Sequence, residues 1–256
     1  MLIEAFSTLL YECYSLNMSQ AFSPLTPKIV LGIAAHPDDL DVGAGGTLAH
    51  FAAQGAEIHY LILTDGGKGS DDPSMTSAQL TKIRHAEQQA ALEIVGGKSI
   101  SFLDYPDGEL EITMELKRQI VKSIRTVKPD VVITMDPTVI YSAQNGYINH
   151  PDHRAAGQAT LDAVFPLARD PLTFPELYTE GYMPHKVPTL LLVNFNENNS
   201  VIDITETFET KLKAMSAHVS QFGEMNEFEW LTKMAQQQGQ QAGYALGEGF
   251  VRIDIS

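Results

Sequence analysis

The sequence predicts an α/β fold, a doubly wound and mostly parallel sheet with helices on both faces. Three observations carry that expectation. From Lys28 onward short apolar runs alternate with segments of helical periodicity, in the order β-α-β-α. The runs are apolar on successive residues, as strands covered on both faces must be. Parallel neighbours also require crossovers, and the intervening helical segments supply them.

Taken in order, residues 29–35 read as a buried strand, 45–54 as a helix, 57–64 as a second strand and 79–95 as a longer amphipathic helix. Strand 99–103, a helix around 114–126 and strand 131–135 continue the rhythm, followed by a helix over 153–164. The result is a Rossmann-like sheet. Beyond Phe165 the pattern weakens, and Pro166, Pro171, Pro175, Pro184 and Pro188 mark an irregular segment expected to cap the site. Strand-like stretches at 189–195 and 200–204, helical patterns at 206–221 and 227–241, and a final strand-like tail at 249–255 follow this C-terminal cap region.

With 256 residues, 44% of them hydrophobic, the chain can bury one large core. We read residues 1–27 as an N-terminal extension and 28–256 as a single domain. The net charge of −15 gives no electrostatic support to a nucleic-acid or anionic-membrane partner, and a neutral or cationic small molecule fits better. Cys13 is the single cysteine, which excludes an intrachain disulfide and a cysteine zinc cage and makes the cytoplasm the expected compartment. No stretch approaches the ~20 apolar residues of a membrane span. Residues 1–18 carry Glu4 and Glu12 where a secretory signal would be basic and apolar. They read as a short amphipathic helix or an appendage, with Met18 as an alternative start.

The chemistry concentrates in two clusters, His36-Pro37-Asp38-Asp39 directly after the first strand and His150-Pro151-Asp152-His153 far downstream. In an open α/β sheet ligands gather beyond the carboxyl ends of the strands, so both clusters fall where a site is expected. A His and a carboxylate three residues apart in a tight turn, joined by a His from a distant loop, make a two-nitrogen, one-oxygen set for a divalent metal. Zn2+ is the usual occupant and Fe2+ the alternative, with water in the fourth position. Asp also caps helices, which would account for one of these carboxylates. Capping does not account for His and Asp together at two strand ends.

Ala35-His36-Pro37-Asp38-Asp39, followed by Gly43-Ala44-Gly45-Gly46-Thr47 and later by His150-Pro151-Asp152-His153, resembles the LmbE/PIG-L family of metal-dependent N-deacetylases. The likeness continues in order through Leu63-Thr64-Asp65-Gly66-Gly67, Arg84-His85-Ala86-Glu87, Tyr105-Pro106-Asp107-Gly108, Lys128-Pro129-Asp130-Val131-Val132 and His218-Val219-Ser220-Gln221. The Thr-Asp-Gly loop and Gly247-Glu248-Gly249-Phe250 look most like the deacetylases of N-acetylglucosamine and diacetylchitobiose. The resemblance implies His36, Asp39 and His153 as metal ligands and Asp38 as the general base toward water. It implies His150, protonated, at the oxyanion or the leaving amine, with Asp152 tuning it. It also implies Arg84 and Asp107 at the substrate, and a homo-oligomer, trimer or hexamer. The physics agrees, because a metal lowers the pKa of water and polarises a carbonyl while an unligated carboxylate accepts the proton. Leu40 departs from the family motif, which usually has Glu there; Asp41 follows. No proposed ligand is lost, and the expected effect is on contacts around the ligands or with substrate.

Other readings of single residues stay open at this point. Asp38 could support the ligands instead of acting as base, Arg84 could pair with Glu87 along a helix, and Asp107 could serve a turn. The loop 66–70 lacks P-loop spacing and no GxGxxG follows the first strand, so it reads as a mobile rim and not a nucleotide site. His50, His59, His85 and His185 read as surface or packing residues, His218 as a residue that could face the pocket, and Trp230 as core. The expected function is zinc-dependent removal of acetyl from an N-acetylated amino sugar. Hydrolysis of another N-acyl conjugate or small amide is the alternative within the enzyme class. A non-catalytic sugar- or metal-binding protein is the alternative outside it, although binding alone needs neither a base nor an acid.

Overall fold

The structure is a computed structural model that describes residues 22–143, 146–195, 197–223 and 228–255. In chain order it runs β1 (Ile29–Ala34), α1 (Asp39–Ala53), β2 (Glu57–Thr64), α2 (Ser77–Val95), β3 (Ser99–Tyr105), α3 (Met114–Val127) and β4 (Val131–Met135). A small hairpin of β5 (Tyr141–Ser142) and β6 (Tyr147–Ile148) leads into α4 (Pro151–Asp162), a wide turn over Ala163–Leu167 and the short α5 (Pro175–Thr179). Then come β7 (Thr189–Val193), β8 (Ser200–Asp203), α6 (Phe208–Ser216), α7 (Val219–Phe222), α8 (Glu229–Ala242) and β9 (Gly247–Asp254).

Seven strands form one sheet in the order β3-β2-β1-β4-β7-β9-β8. Strands β3 to β7 in that order are parallel, and β9 pairs antiparallel with β7 and β8. This is the mostly parallel, Rossmann-like sheet expected from the sequence. Period-two alternation divides its residues between two cores. From β1, Val30 and Ala34 pack with Leu40, Ala44 and Leu48 of α1 and with Leu92 of α2. Leu31 and Ile33 pack on the opposite face with Ile120 and Ile124 of α3 and Ala156 and Ala159 of α4.

Two glycines set how closely the site-bearing helices approach the sheet. A Cβ on Gly32 of β1 would lie 2.7 Å from the Leu40 side chain, so only glycine lets the first turn of α1 nest on β1. A Cβ on Gly157 of α4 would lie 2.3 Å from the Met135 carbonyl oxygen, so α4 nests at the end of β4 in the same way.

α1 begins at Asp39, six residues earlier than the sequence pattern placed it. Gly43, Gly45 and Gly46 depress intrinsic helix propensity and hid the first turns. Tertiary contacts supply what propensity lacks. Glu248 accepts from the Gly46 and Thr47 N–H groups at 3.0 and 2.7 Å, and the Lys211 ammonium bonds both Glu248 and the Val42 carbonyl. Both side chains are buried, so removing one leaves an uncompensated charge. We expect Glu248→Ala to lose about 3–5 kcal/mol of stability, read as a fall in Tm on the order of 10 °C. A Tm within about 2 °C of wild type would reject this role for the clamp.

The helical pattern over 206–221 is broken at Ala217 and His218, where the chain leaves α6 before α7. The hairpin β5–β6 escaped the sequence reading because two-residue strands carry no period. At the N-terminal side, Arg252 Nη1 donates to the Ser23 carbonyl at 2.8 Å, and its guanidinium lies 4.6 Å from the Phe22 ring centroid. The helix or appendage expected over 1–18, with Cys13 and Met18, lies outside the described residues. Among the described residues no helix is long and apolar enough to cross a membrane.

Candidate active site

β1 and β4 are neighbours, with β2 outside β1 and β7 outside β4, so the winding reverses between them. Ligands of such sheets bind beyond the strand ends at that reversal. α1 starts immediately after β1, and α4 starts after the hairpin that follows β4. His150 is the N-cap of α4, with Pro151 in its first turn. The two clusters named in the sequence thus meet in one crevice.

The turn into α1 is strained and held. Asp38, at φ 107° and ψ −32°, occupies a region that costs a non-glycine residue about 1–3 kcal/mol. Its N–H donates to Gln88 Oε1 at 2.7 Å and its carbonyl accepts from Val42 at 2.9 Å. Arg84 Nη2 donates to the Pro37 carbonyl at 2.6 Å and to Asp38 Oδ2 at 3.2 Å. Below the turn, the buried Asp41 carboxylate accepts from Gln88 Nε2 at 2.7 Å and Tyr60 Oη at 3.2 Å, and His218 Nε2 lies 2.9 Å from it. Several bonds therefore over-determine the backbone that carries Asp38 and Asp39.

The His36 ring separates two groups of partners. On its Nδ1 side lie His153 Nε2 at 3.2 Å and Asp39 Oδ2 at 3.5 Å, while Asp39 Oδ1 is 3.0 Å from His153 Nε2. The His150 ring centroid is 4.7 Å from that of His36 and 5.4 Å from that of His153. On the Nε2 side lie Asp107 Oδ1 at 3.1 Å and Asp152 Oδ2 at 3.2 Å. Donor atoms of His36, His150 and His153 lie within 4.8 Å of one another, and so do those of His36, Asp107 and Asp152. The Nδ1 side is the better basin for a cation. Asp107 and Asp152 already accept backbone N–H groups, from Lys68 and from Gly108 and Leu110 respectively. They face His36 as outer carboxylates that fix a ligand imidazole do. On the other side, His153 Nδ1 is held 3.2 Å from Asn149 Oδ1, which leaves Nε2 toward Asp39 and His36.

The electrostatics fit a cation. Burial pulls the His36 imidazole down, but hydrogen bonds to Asp107, Asp152 and Asp39 override it and raise its pKa to about 12. A proton on His36 thus supplies the positive charge that four carboxylates around one crevice demand. Burial opposes ionisation of Asp39, yet His153 and His36 hold its carboxyl well below the usual range. Asp38 behaves oppositely, because burial and then the Asp39 charge push it up to about 7 against the pull of Arg84. Burial, followed by the charge of His36, lowers His150, with Asp152 opposing.

Several sequence expectations change here. Asp152 was expected to tune His150, and its charge does raise the His150 pKa, but its carboxylate bonds His36, and what His150 receives through a hydrogen bond is the Asp152 backbone N–H on Nδ1, at 3.2 Å. His150 was expected to be protonated; burial and His36 bias it to the neutral form. Arg84 was expected to meet substrate or Glu87, and it is buried with its terminal nitrogens on Gly66, Pro37 and Asp38. Glu87 instead accepts from the Ser220 N–H and hydroxyl. Asp107 was expected at a sugar hydroxyl, and its two oxygens face His36 and the Lys68 N–H. That bond and the one from Arg84 to Gly66 tie down the glycine loop read as a rim. Leu40 is fully buried against β1, His218 sits under the turn on Asp41, and Trp230 is half-exposed instead of core. Asn149 and Gln88 were missed, since a lone amide carries no spacing signal.

Comparison with known proteins agrees with this geometry. A family profile described as PIG-L: GlcNAc-PI de-N-acetylase matches residues 31–164, the stretch that holds both His/Asp clusters. A diacetylchitobiose deacetylase of Thermococcus kodakarensis is 34% identical over 249 residues, 96% of this chain and 90% of that one. A probable N-acetyl-alpha-D-glucosaminyl L-malate deacetylase 2 of Bacillus anthracis is 31% identical over 206 residues, 75% of this chain and 81% of that one. Among solved structures, an N,N'-diacetylchitobiose deacetylase from Pyrococcus horikoshii matches with a TM-score of 0.82 at 32% identity, over 99% of this chain and 93% of that one. From the profile, the 34% identity that extends over 96% of this chain and the shared fold, the chain belongs to the PIG-L/LmbE family of deacetylases, which are hydrolases.

Proposed function

We propose that this protein is a zinc-dependent hydrolase that removes the acetyl group from an N-acetylated amino sugar of the N-acetylglucosamine or diacetylchitobiose type. The products are the free amine and acetate. One observation carries the reading: His36, Asp39 and His153 converge on one basin, with the strained Asp38 beside it and His150 at its edge. In this reading His36, Asp39 and His153 would hold the ion, with Fe2+ as the alternative occupant. When bound, the ion polarises the amide carbonyl and lowers the pKa of the attacking water.

Asp38 takes the proton from that water. Its raised pKa suits a group that must also return the proton, here to the departing nitrogen. His150 serves as a hydrogen-bond donor. With Nδ1 accepting from the Asp152 N–H, the neutral imidazole carries its proton on Nε2, and that N–H faces the charge that builds on the carbonyl oxygen. Asp107, Asp152 and Asn149 keep His36 and His153 in the orientation the ion needs.

A second reading, hydrolysis of another N-acyl conjugate, draws on the internal bonding of Arg84 and Asp107, which leaves the two residues expected at sugar hydroxyls engaged with protein. Acetate release from N-acetylglucosamine and diacetylchitobiose, measured with added Zn2+ and after chelation, decides. We expect release with zinc and loss of it on chelation. Release only from other N-acyl amides would favour the second reading, and no hydrolysis of either class would leave a binding protein.

A further inference from the structure

Beside the His/Asp basin lies a cavity of about 420 Å3 that the chemistry above does not use. Its walls include Val42, Tyr147, Val193, Phe195, Trp230 and Met234. Two residues join it to the basin. Asn149 lines the cavity and holds His153 Nδ1 at 3.2 Å. Val42 stands one turn along α1 from Asp38 and donates its N–H to the Asp38 carbonyl at 2.9 Å. The cavity thus adjoins the basin across His153 and the first turn of α1.

The lining selects what enters. The walls are mostly aliphatic and aromatic, and the polar side chains among them, Asp136, Asn149 and Asn194, are already bonded within the protein. Asp136 accepts from the Thr138 N–H and hydroxyl at 2.8 and 2.6 Å and from Asn194 Nδ2 at 2.8 Å, and Asn149 Nδ2 donates to the Val139 carbonyl at 2.8 Å. A sugar ring placed here would lose water from its hydroxyls without gaining partners, whereas an alkyl or aryl group would lose nothing. Three aromatic side chains are kept open to solvent at this one place. Trp230 is 49%, Phe195 41% and Tyr147 40% exposed, while Phe228 and Leu231, on either side of Trp230 in sequence, are buried. Apolar exposure gathered around a concavity of this size is the mark of a small-molecule site.

We propose that this cavity binds an apolar substituent carried by the amino-sugar substrate, and that the enzyme selects among substrates by that substituent. The proposal rests on the deacylase reading, since it needs the amide at the basin. The substituent has two sources: an N-acyl chain longer than acetyl, or an apolar aglycone on the sugar.

Trp230 is the chain's single tryptophan, so its fluorescence reads the cavity without any turnover. We would titrate the intact protein with N-hexanoylglucosamine, with the hexyl glycoside of N-acetylglucosamine, and with N-acetylglucosamine itself. One of the two alkyl compounds should shift the emission to the blue and saturate at a concentration at least about tenfold below N-acetylglucosamine. Which one does so identifies the source. Phe195→Ala and Met234→Ala should each weaken that compound about tenfold and N-acetylglucosamine less than about twofold. In an active enzyme, kcat/KM for the alkyl compound should fall by the same factor. Unsaturable or equal responses to all three compounds overturn the proposal, as does a saturable response that neither variant changes. Because the readout is binding, an absence of acetate release would count against the deacylase reading and not against the cavity.

Discussion

His153→Ala should abolish hydrolysis and leave the protein with a small fraction of the zinc that wild type retains. His153 Nε2 lies 3.0 Å from Asp39 and 3.2 Å from His36, so its loss reduces three protein ligands to two. The side chain is partly exposed on the first turn of α4, so circular dichroism and Tm should stay close to wild type. The variant also decides between the groupings that share His36. If the ion sat on the Nε2 side, between His36, Asp107 and Asp152, His153→Ala would keep its zinc and Asp107→Asn would lose it. Metal content after dialysis, measured for both variants, gives the answer. Stoichiometric zinc in an active His153→Ala protein would end the three-ligand arrangement on the Nδ1 side.

What was legible in the sequence is what local chain order encodes. β1 and most of β2 and β4 are apolar on successive residues, and such runs have few alternatives to a doubly covered strand. The clusters at 36–39 and 150–153 were legible for a related reason: each gathers ligand-type residues within four positions at the start of a helix. The missing parts depend on contacts far apart in the chain. Nothing in the sequence says that Asp41 meets His218, 177 residues away, or that Lys211 and Glu248 clamp the glycines of α1. Arg84, Asp107 and Asp152 all reach the crevice, but the protein groups they bond there were not foreseen. A buried polar group bonds whichever neighbour the fold supplies, and that neighbour is fixed by the crossing of α2, the glycine loop and α4. Trp230 failed for a simpler reason: its neighbours Phe228 and Leu231 are core, and each step of one residue turns a helical side chain by about 100°, enough to face another way.

Asp38→Asn should lower turnover by about 10²–10⁴ while the metal stays bound. The substitution keeps the size of the side chain, the N–H to Gln88 and an oxygen for Arg84. Asn also tolerates the positive φ of this turn better than most residues do, so the backbone that carries Asp39 should hold. What is lost is the ability to accept a proton and the negative charge that faces Arg84. The pH profile separates this from a general disturbance. Burial and Asp39 raise the Asp38 pKa to about 7, and a base must be ionised to act, so wild-type activity should fall as pH drops through the pKa of this group. A cation in the basin favours the carboxylate form, which places that limb below 7 in the loaded enzyme. The Asn variant should lack the limb and keep only its low, flat residual rate. If turnover were unchanged at equal metal content, or if the acid limb survived in the variant, the proton would have to go to another group, and Asp38 would be left with a structural role at the start of α1.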